Sequence, residues 1–530
     1  MHLIKEIRQF LKNNKIDYLL VNSTNEFLME YTPLEENSRY LLTNFSGSTG
    51  DALISQKDIF LFVDGRYHEQ ADAEVDKKLV TVIKMKIGES VNKILEKKLK
   101  PNKTIGIVSK KVSQGRLEVL ESNLKKKGVR IKLFDTDPII KGKGKRENGK
   151  EYTKIGITIA GLSSEEKIKK ITKKLKKDEA ILVTNLEEVS YITNLRYFSN
   201  NYTCTVRGKY IIDKNEDKFI DKIEIDKNIK TVYVDKLSIT AYDYALLGEK
   251  AQSLKENYIK EMKSIKSKEE IEHYKECFKK TDMALLATRD YINNMHLPFS
   301  EYDIAKNLEE NFYKFGAKSL SFKSIVAKDK NSALAHYSKN SKNEIIKASS
   351  LILIDCGAYY QGGLATDITR VFVKGEPSKL QKRVYTLVLK AFLKAFNKKI
   401  TIKTTGFLLD KAARKILNEN APKGFEFSHS LGHGIGISVH ESPPNLAFSP
   451  LAKTPLKENM CFTIEPGLYS AKHFGVRLEN SCYLAKCKGQ SAKGEFEIKA
   501  FTNMPFEEKL IDFAMLTPTE KKQLKLFKVQ

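Results

Sequence analysis

Apolar residues recur at helical spacing over residues 3–11, and the next segment, DYLLVNSTNEF, passes from an apolar run into a polar turn. That pattern predicts a helix, a strand, a turn and a second helix carrying Glu26. The same order returns later. An amphipathic stretch over residues 168–175 precedes AILVTNLEEV, where Val183 stands to Val21 as Glu188 stands to Glu26, at a constant offset of 162 residues. A duplicated α/β domain is therefore expected. Between the copies lies KGKGKRENGK, residues 141–150, with no apolar side chain in ten positions; it reads as a solvated linker or loop. A second change of character at residues 261–268 introduces a long predicted helix over 268–291, and the chemical motifs follow it. The expected domains are 1–140, 151–260 and 262–500, with a C-terminal extension over 501–530.

At 530 residues and 41% apolar composition the chain is too long for one ordinary core. The net charge of +26 raises the question of nucleic acid, but of the 92 basic residues 13 are arginine and 79 are lysine, spread along the whole chain. Readers of phosphates and bases favour arginine forks gathered on one face among aromatics, so no nucleic-acid partner is expected. The six cysteines, Cys204, Cys277, Cys356, Cys461, Cys482 and Cys487, form no CxxC pair. A chain of this size needs no disulfide staples, and reduced thiols in a cytoplasmic protein fit best. The start, MHLIKEIRQFLKNN, is charged every few residues, and nowhere do 18 apolar residues run together. Neither export nor a membrane partner is expected.

LILIDCG predicts a buried strand ending in Asp355; the glycines Gly362 and Gly363 then turn the chain into TDITRVFV, a β-branched strand with Asp367 at its start. Carboxylates ending two paired apolar strands are desolvated unless a cation or hydrogen-bond donors compensate them. For these two alone an equal alternative stands, with Asp355 capping a turn and Asp367 pairing with Arg370. The segment FSHSLGHGIGISVHESPP then places His429, His433 and His440, three of the nine histidines, within twelve positions. The glycines Gly432, Gly434 and Gly436 are read as clearing space around His433 for close approach of backbone and ligand. MCFTIEPGLY ends an apolar strand at Glu465, and GVRLENSCYL alternates so that Arg477 and Glu479 share a face. Four carboxylates and one imidazole on strands of one domain suit two divalent cations. Oxygen-rich ligation disfavours copper and does not demand zinc, leaving manganese, cobalt or iron.

In this order the motifs resemble the pita-bread metallopeptidases, and among them the long, three-domain Xaa-Pro aminopeptidase (aminopeptidase P) type. LLTNFSGSTG and DIFLFVDGRYHEQA resemble its first domain, AGLSSEEKIKKITKKL with EEVSYITNLR its second, the five-ligand region its catalytic third, and PFEEKLIDFAMLTPTEKKQL its C-terminal extension. The resemblance implies two similar N-terminal α/β domains followed by a pita-bread catalytic domain, two bound divalent cations, manganese being favoured, and a homodimer. By position, Asp355 binds one metal, Asp367 and Glu479 bridge both, and His433 with Glu465 completes the other. A hydroxide between the metals is the nucleophile, formed because two cations lower the pKa of the shared water, and Glu465 takes the proton. His440 steadies the tetrahedral intermediate or the leaving imide nitrogen. His336, in SALAHYSKN, and His429 position substrate. Arg477 supports the bridging carboxylate, and Arg66, in DGRYHEQA, reaches substrate from the N-terminal domain. The implied substrates are peptides with proline at the second position.

One departure stands out: GGLATD places Asp367 twelve residues after Asp355, one more than the commoner GGTTD pattern gives. The added residue is expected to enlarge the turn; a shifted register would turn Asp367 to the opposite face. Two other functions compete. Prolidase action on Xaa-Pro dipeptides requires recognition of a free C-terminal carboxylate near the metals. A catalytically dead pita-bread module that binds proteins or nucleic acid is the other, although such modules lose ligands and this sequence keeps all five.

Overall fold

In the computed structural model residues 2–86, 88–140, 151–198, 202–296, 298–487 and 494–527 are described, and the linker read at 141–150 lies outside them. The apolar run of each predicted copy forms the central strand of a sheet. Tyr18–Val21 pairs antiparallel with Asp51–Ser55 and parallel with Thr104–Val108. Glu179–Val183 pairs antiparallel with Lys209–Ile212 and parallel with Thr231–Val234. One strand further out the pattern repeats, antiparallel on one side and parallel on the other, in both sheets. The first sheet adds a sixth strand, Thr81–Lys84. The 162-residue offset thus marks two copies of one topology.

The copies differ just after the central strand. Glu188 rides on the helix Leu186–Thr193, whereas the helix expected to carry Glu26 does not form. The side chain of Asn25 accepts from the amides of Phe27 and Met29 at 3.1 and 3.3 Å, and Leu28 sits at a φ of 55°. An Asn that bonds the amides just ahead of it offers the backbone a turn in place of a helix.

By contacts the chain forms two units, one of Met1–Tyr152, Ser164–Thr193 and Val206–Asn257, the other of Thr153–Ser163, Asn194–Thr205 and Tyr258–Gln530. Two short segments that sequence order places inside the second N-terminal domain therefore belong to the second unit. The reason is local. Thr153–Lys154 pairs with Leu195–Arg196, and the buried Arg196 and Cys204 both donate to the carbonyl of Gly363.

At the centre of the second unit is a sheet of Ile325–Lys328, Leu351–Cys356 and Ile368–Val373. Its strands are mostly apolar because both faces are covered. Leu351, Leu353, Val371 and Val373 pack with the helices Lys379–Phe396 and Gly406–Asn420. Ile352, Ile354, Cys356, Ile368 and Phe372 pack with Lys268–Asn294 and Glu301–Lys314. The C-terminal residues 501–527 fold against the helix Lys379–Phe396: Phe506 and Phe527 meet Phe392 edge-on at 5.3 and 5.5 Å, and Lys390 pairs with Glu520 at 2.8 Å. Replacing the fully buried Phe392 with Ala removes this shared anchor, and the loss should be about 3–5 kcal/mol of stability. Urea unfolding of the variant should show an earlier midpoint, together with faster proteolysis within residues 501–527; an unshifted midpoint refutes the anchor.

Candidate metal centre

Asp355 lies on the face of its strand shared with Leu351 and Leu353, at the end away from the apolar packing. Across the ladder its partner is Thr369, so Asp367, two residues earlier, keeps the same face. The register is unbroken from Leu351–Val373 through Cys356–Ile368 to the bridge Tyr359–Ala365. The added residue is taken up at the tip, between positions 360 and 364, where Gly362 and Gly363 have φ values of 102° and 65°. Glu479 lies in the short link between the strands Gly475–Arg477 and Asn480–Lys486. Its amide donates to the carbonyl of Thr369 at 3.2 Å, and its Oε2 accepts from Thr369 Oγ1 at 2.7 Å. His433 stands on the short ladder with Asn445–Leu446. Glu465 is tied to the same region by its amide, which donates to Leu431 at 2.8 Å.

Ligand atoms of Asp367, His433 and Glu479 come within 4.8 Å of one another, and His433 Nε2 is 3.6 Å from Asp367 Oδ2 and 3.4 Å from Glu465 Oε1. His433 Nδ1 lies 3.0 Å from the Gly434 carbonyl. A carbonyl can only accept, so the proton sits on Nδ1 and Nε2 turns its lone pair toward the carboxylates.

Whether this set suits cations can be judged from its unmet needs. Asp355 Oδ1 and Glu479 Oε1 are buried and make no hydrogen bond. Burial, then the charges of Glu479, Asp355 and Glu465, pushes Asp367 well above the usual carboxylate range. Burial with Glu465 and Asp355 does the same to Glu479, and burial raises Glu465 to about 7. Four carboxylates, two of them with buried oxygens that make no hydrogen bond, together with one imidazole form a hard, oxygen-rich donor set that fits divalent cations.

The neighbours are placed as follows. Arg477, expected beside the bridging carboxylate, donates instead to Asp355 Oδ2 at 2.5 Å and meets Glu479 only through Thr369 Oγ1, at 3.1 Å. Arg370, the alternative partner for Asp367, is spent on the carbonyls of Thr369, Glu479, Met504 and Pro505 and on Asn480. His440 meets His433 edge to face at 4.4 Å. His429 Nδ1 sits 2.8 Å from the Ser430 carbonyl, so its Nε2 accepts from the Tyr469 hydroxyl, also at 2.8 Å. Tyr469 in turn accepts from Arg477 at 2.9 Å. A continuous chain therefore runs from His429 through Tyr469 and Arg477 to Asp355. His336 is half-buried in the loop whose Ala335 carbonyl accepts from Arg477 at 3.2 Å. Arg66 belongs to the other unit and forks onto Asp64 at 3.0 and 2.8 Å.

Sequence reasoning missed Thr369, Tyr469 and Thr463, whose hydroxyl accepts from the His433 amide and donates to Glu465 at 3.1 and 3.3 Å. Thr369 was within reach, because alternation from Asp367 puts it on the ligand face. Of the glycine reading, the close approach of backbone is seen, and a side chain, Glu441, packs where a ligand was expected. A Cβ on Gly432 would meet the Thr463 carbonyl at 2.0 Å and one on Gly436 the Glu441 carboxyl at 2.2 Å. The space they leave is filled by backbone and by Glu441. That carboxylate, against the burial that would raise it, is held down to about 2 by Lys263 and Lys266.

Residues 272–486 match metallopeptidase family M24, and residues 4–142 and 143–296 each match the creatinase/prolidase N-terminal domain. Residues 272–486 thus form an M24 metallopeptidase domain behind creatinase-type N-terminal domains. Xaa-Pro aminopeptidase 1 of Dictyostelium discoideum is 28% identical, covering 98% of this chain and 90% of its own. A probable Xaa-Pro aminopeptidase P of Paracoccidioides brasiliensis is 29% identical, covering 98% and 93%. The crystal structure of an X-prolyl aminopeptidase from Caenorhabditis elegans, described as a cytosolic enzyme with a di-nuclear active site, matches with a TM-score of 0.89 at 21% identity, covering 99% of this chain and 95% of that one. That likeness shows the fold: two creatinase-type N-terminal domains followed by a pita-bread domain. Among the described residues no helix is long and apolar enough to cross a membrane.

For the metal-free M24 metallopeptidase, a Glu465 raised from 4.5 to about 7 means that the folded chain holds this proton more tightly than the unfolded chain. Its stabilising contribution is complete below pH 4.5 and is lost as pH rises through about 7. With chelator present, wild type should therefore lose thermal stability relative to Glu465→Gln across that window. Parallel melting curves at every pH would sink the assignment.

Proposed function

We propose that this metallopeptidase releases the first residue from peptides whose second residue is proline, at a centre formed by Asp355, Asp367, His433, Glu465 and Glu479. What carries the reading is that Asp367, His433 and Glu479 offer ligand atoms within 4.8 Å of one another, while two buried carboxylate oxygens, Asp355 Oδ1 and Glu479 Oε1, make no hydrogen bond. Relatives over nearly the full chain carry the name Xaa-Pro aminopeptidase. In this reading Asp355, Asp367, His433, Glu465 and Glu479 would hold two divalent cations, with manganese as the metal. Bound there, divalent cations supply Lewis acidity toward the scissile carbonyl and lower the pKa of water.

The remaining work falls to the chain's own groups. Glu465 accepts the water proton as the general base. His440, packed against His433, donates a hydrogen bond to the developing oxyanion or to the leaving imide nitrogen, and His336 holds the substrate. His429 acts through Tyr469 and Arg477 on the orientation of Asp355. Free cysteines among the described residues favour a cytoplasmic protein, and the assembly is a homodimer, open to light scattering.

With manganese added, the protein should cleave Gly-Pro-Pro and leave the dipeptide Gly-Pro nearly untouched, as read by chromatography of the released glycine. The reverse preference makes it a prolidase. Glu465→Gln and His433→Ala should each reduce kcat by at least about 100-fold, and metal analysis of wild type should give two manganese ions per chain.

A further inference from the structure

Far along the fold from the carboxylates, Glu301 opens the helix Glu301–Lys314 and is completely buried. Four donors converge on its carboxylate, one from the last residue of the strand Ile325–Lys328 and three from the loop that follows it. Oε1 accepts from the Lys328 amide at 2.7 Å and from Asn331 Nδ2 at 2.9 Å. Oε2 accepts from the Tyr337 hydroxyl at 2.6 Å and from the Ser341 amide at 3.0 Å. Tyr337 is also buried, with its ring in the core cluster that covers the ligand face of the central sheet. His336 is the residue beside it.

The other side of this loop is fixed to the metal-carrying strands. Ser332 Oγ donates to the Gly475 carbonyl at 2.9 Å and accepts from its amide at 2.8 Å, and the Ala335 carbonyl accepts from Arg477 at 3.2 Å. Those contacts set where the loop starts relative to Arg477 and Glu479. They leave the residues after Ala335 to be held from elsewhere, and Glu301 supplies that hold. A buried ionised acceptor gives hydrogen bonds about twice as strong as neutral ones, and four of them from one strand end and its loop make a rigid seat.

We propose that Glu301 is a positioning residue for hydrolysis: through Tyr337 it fixes the backbone that carries His336 and so aims that imidazole at the substrate. The inference rests on the reading of His336 as a substrate-holding group.

The test is a double-mutant cycle on manganese-loaded protein with an Xaa-Pro-Yaa substrate. Tyr337→Phe removes one hydroxyl and keeps the packed ring, so it should fold and bind the wild-type amount of manganese, with kcat/KM lowered ~10-fold by loss of a hydrogen bond to a buried carboxylate. Glu301→Gln, which keeps the volume but cannot accept four bonds, should lose more. Combined with His336→Ala, neither change should reduce kcat/KM further, because the group they aim is gone. A merely structural role predicts the opposite, with losses that multiply and a reduced metal content. Multiplying losses, or a Tyr337→Phe protein with wild-type kcat/KM, overturn the clamp while the role of His336 stands. Wild-type kcat/KM for His336→Ala alone overturns that role and the clamp with it.

Discussion

The second unit is organised around a repulsion. Asp355, Asp367, Glu465 and Glu479 converge in a buried space, and two like charges roughly 4 Å apart repel by about 4 kcal/mol even at an effective dielectric of about 20. The protein offers one full positive charge in direct contact, Arg477 on Asp355, and one neutral donor to Glu479, the hydroxyl of Thr369. Four negative charges against one positive leave an excess that two divalent cations neutralise. Without them burial, and after it the neighbouring negative charges, displaces Asp367, Glu479 and Glu465 upward, so that protons take the place of the cations. The same groups that make the folded chain unhappy in the ionised state are the ones that give it affinity for metal.

Holding such a set together requires a backbone that does not yield. Asp355 and Asp367 belong to one antiparallel pair, Glu479 reaches it from another part of the chain, and the two are stitched together beside the ligands. Glu479 donates its amide to Thr369, and Ser481 donates its hydroxyl to the Asp367 carbonyl at 2.8 Å. Beneath them Arg370, fully buried, bonds the carbonyls of Thr369 and Glu479 at once and reaches out to Met504 and Pro505. The C-terminal extension therefore completes the coordination of an arginine that ties the Asp367 strand to Glu479. Its aromatic packing on the helix Lys379–Phe396 and its carbonyls on Arg370 are parts of one support.

The sequence made the ligands legible because they break a strong pattern. A carboxylate at the end of an apolar run such as LILIDC, or three histidines in twelve positions, contradicts what a buried strand or a polar loop ordinarily contains. The duplication was legible for the same reason, since Val21 and Val183 close apolar runs of one type. What escaped notice was neutral or remote. Thr369 and Tyr469 look like ordinary strand residues, and their importance lies in partners 110 and 40 residues away, Glu479 and His429. Glu301 looks like a helix-start acid, a common and unremarked placement. The helix at Glu26 failed because one asparagine outcompeted the apolar spacing, and the division of segments 153–163 and 194–205 followed contacts that sequence order does not encode.

The lengthened turn shows where sequence spacing stops being a guide to geometry. Position in an antiparallel pair is fixed by which residues face each other, and every pair from Leu351–Val373 to Tyr359–Ala365 obeys one register. An added residue can enter only where no pair constrains it, and the tip between 360 and 364 is that place. Two features keep it there. Gly357 leaves so little room that a Cβ would stand 1.8 Å from the Thr366 carbonyl, which locks the two strands at close approach just inside the tip. Thr366 then bonds Ala358 in both directions, amide to carbonyl at 3.0 Å and hydroxyl from amide at 3.0 Å. A slip of one residue would break both bonds and drive a side chain into Gly357, whereas a longer tip costs only slowly growing loop entropy. Asp367 therefore faces Asp355 because of what lies between Gly357 and Thr366, and the count of residues from one aspartate to the other has no bearing on it.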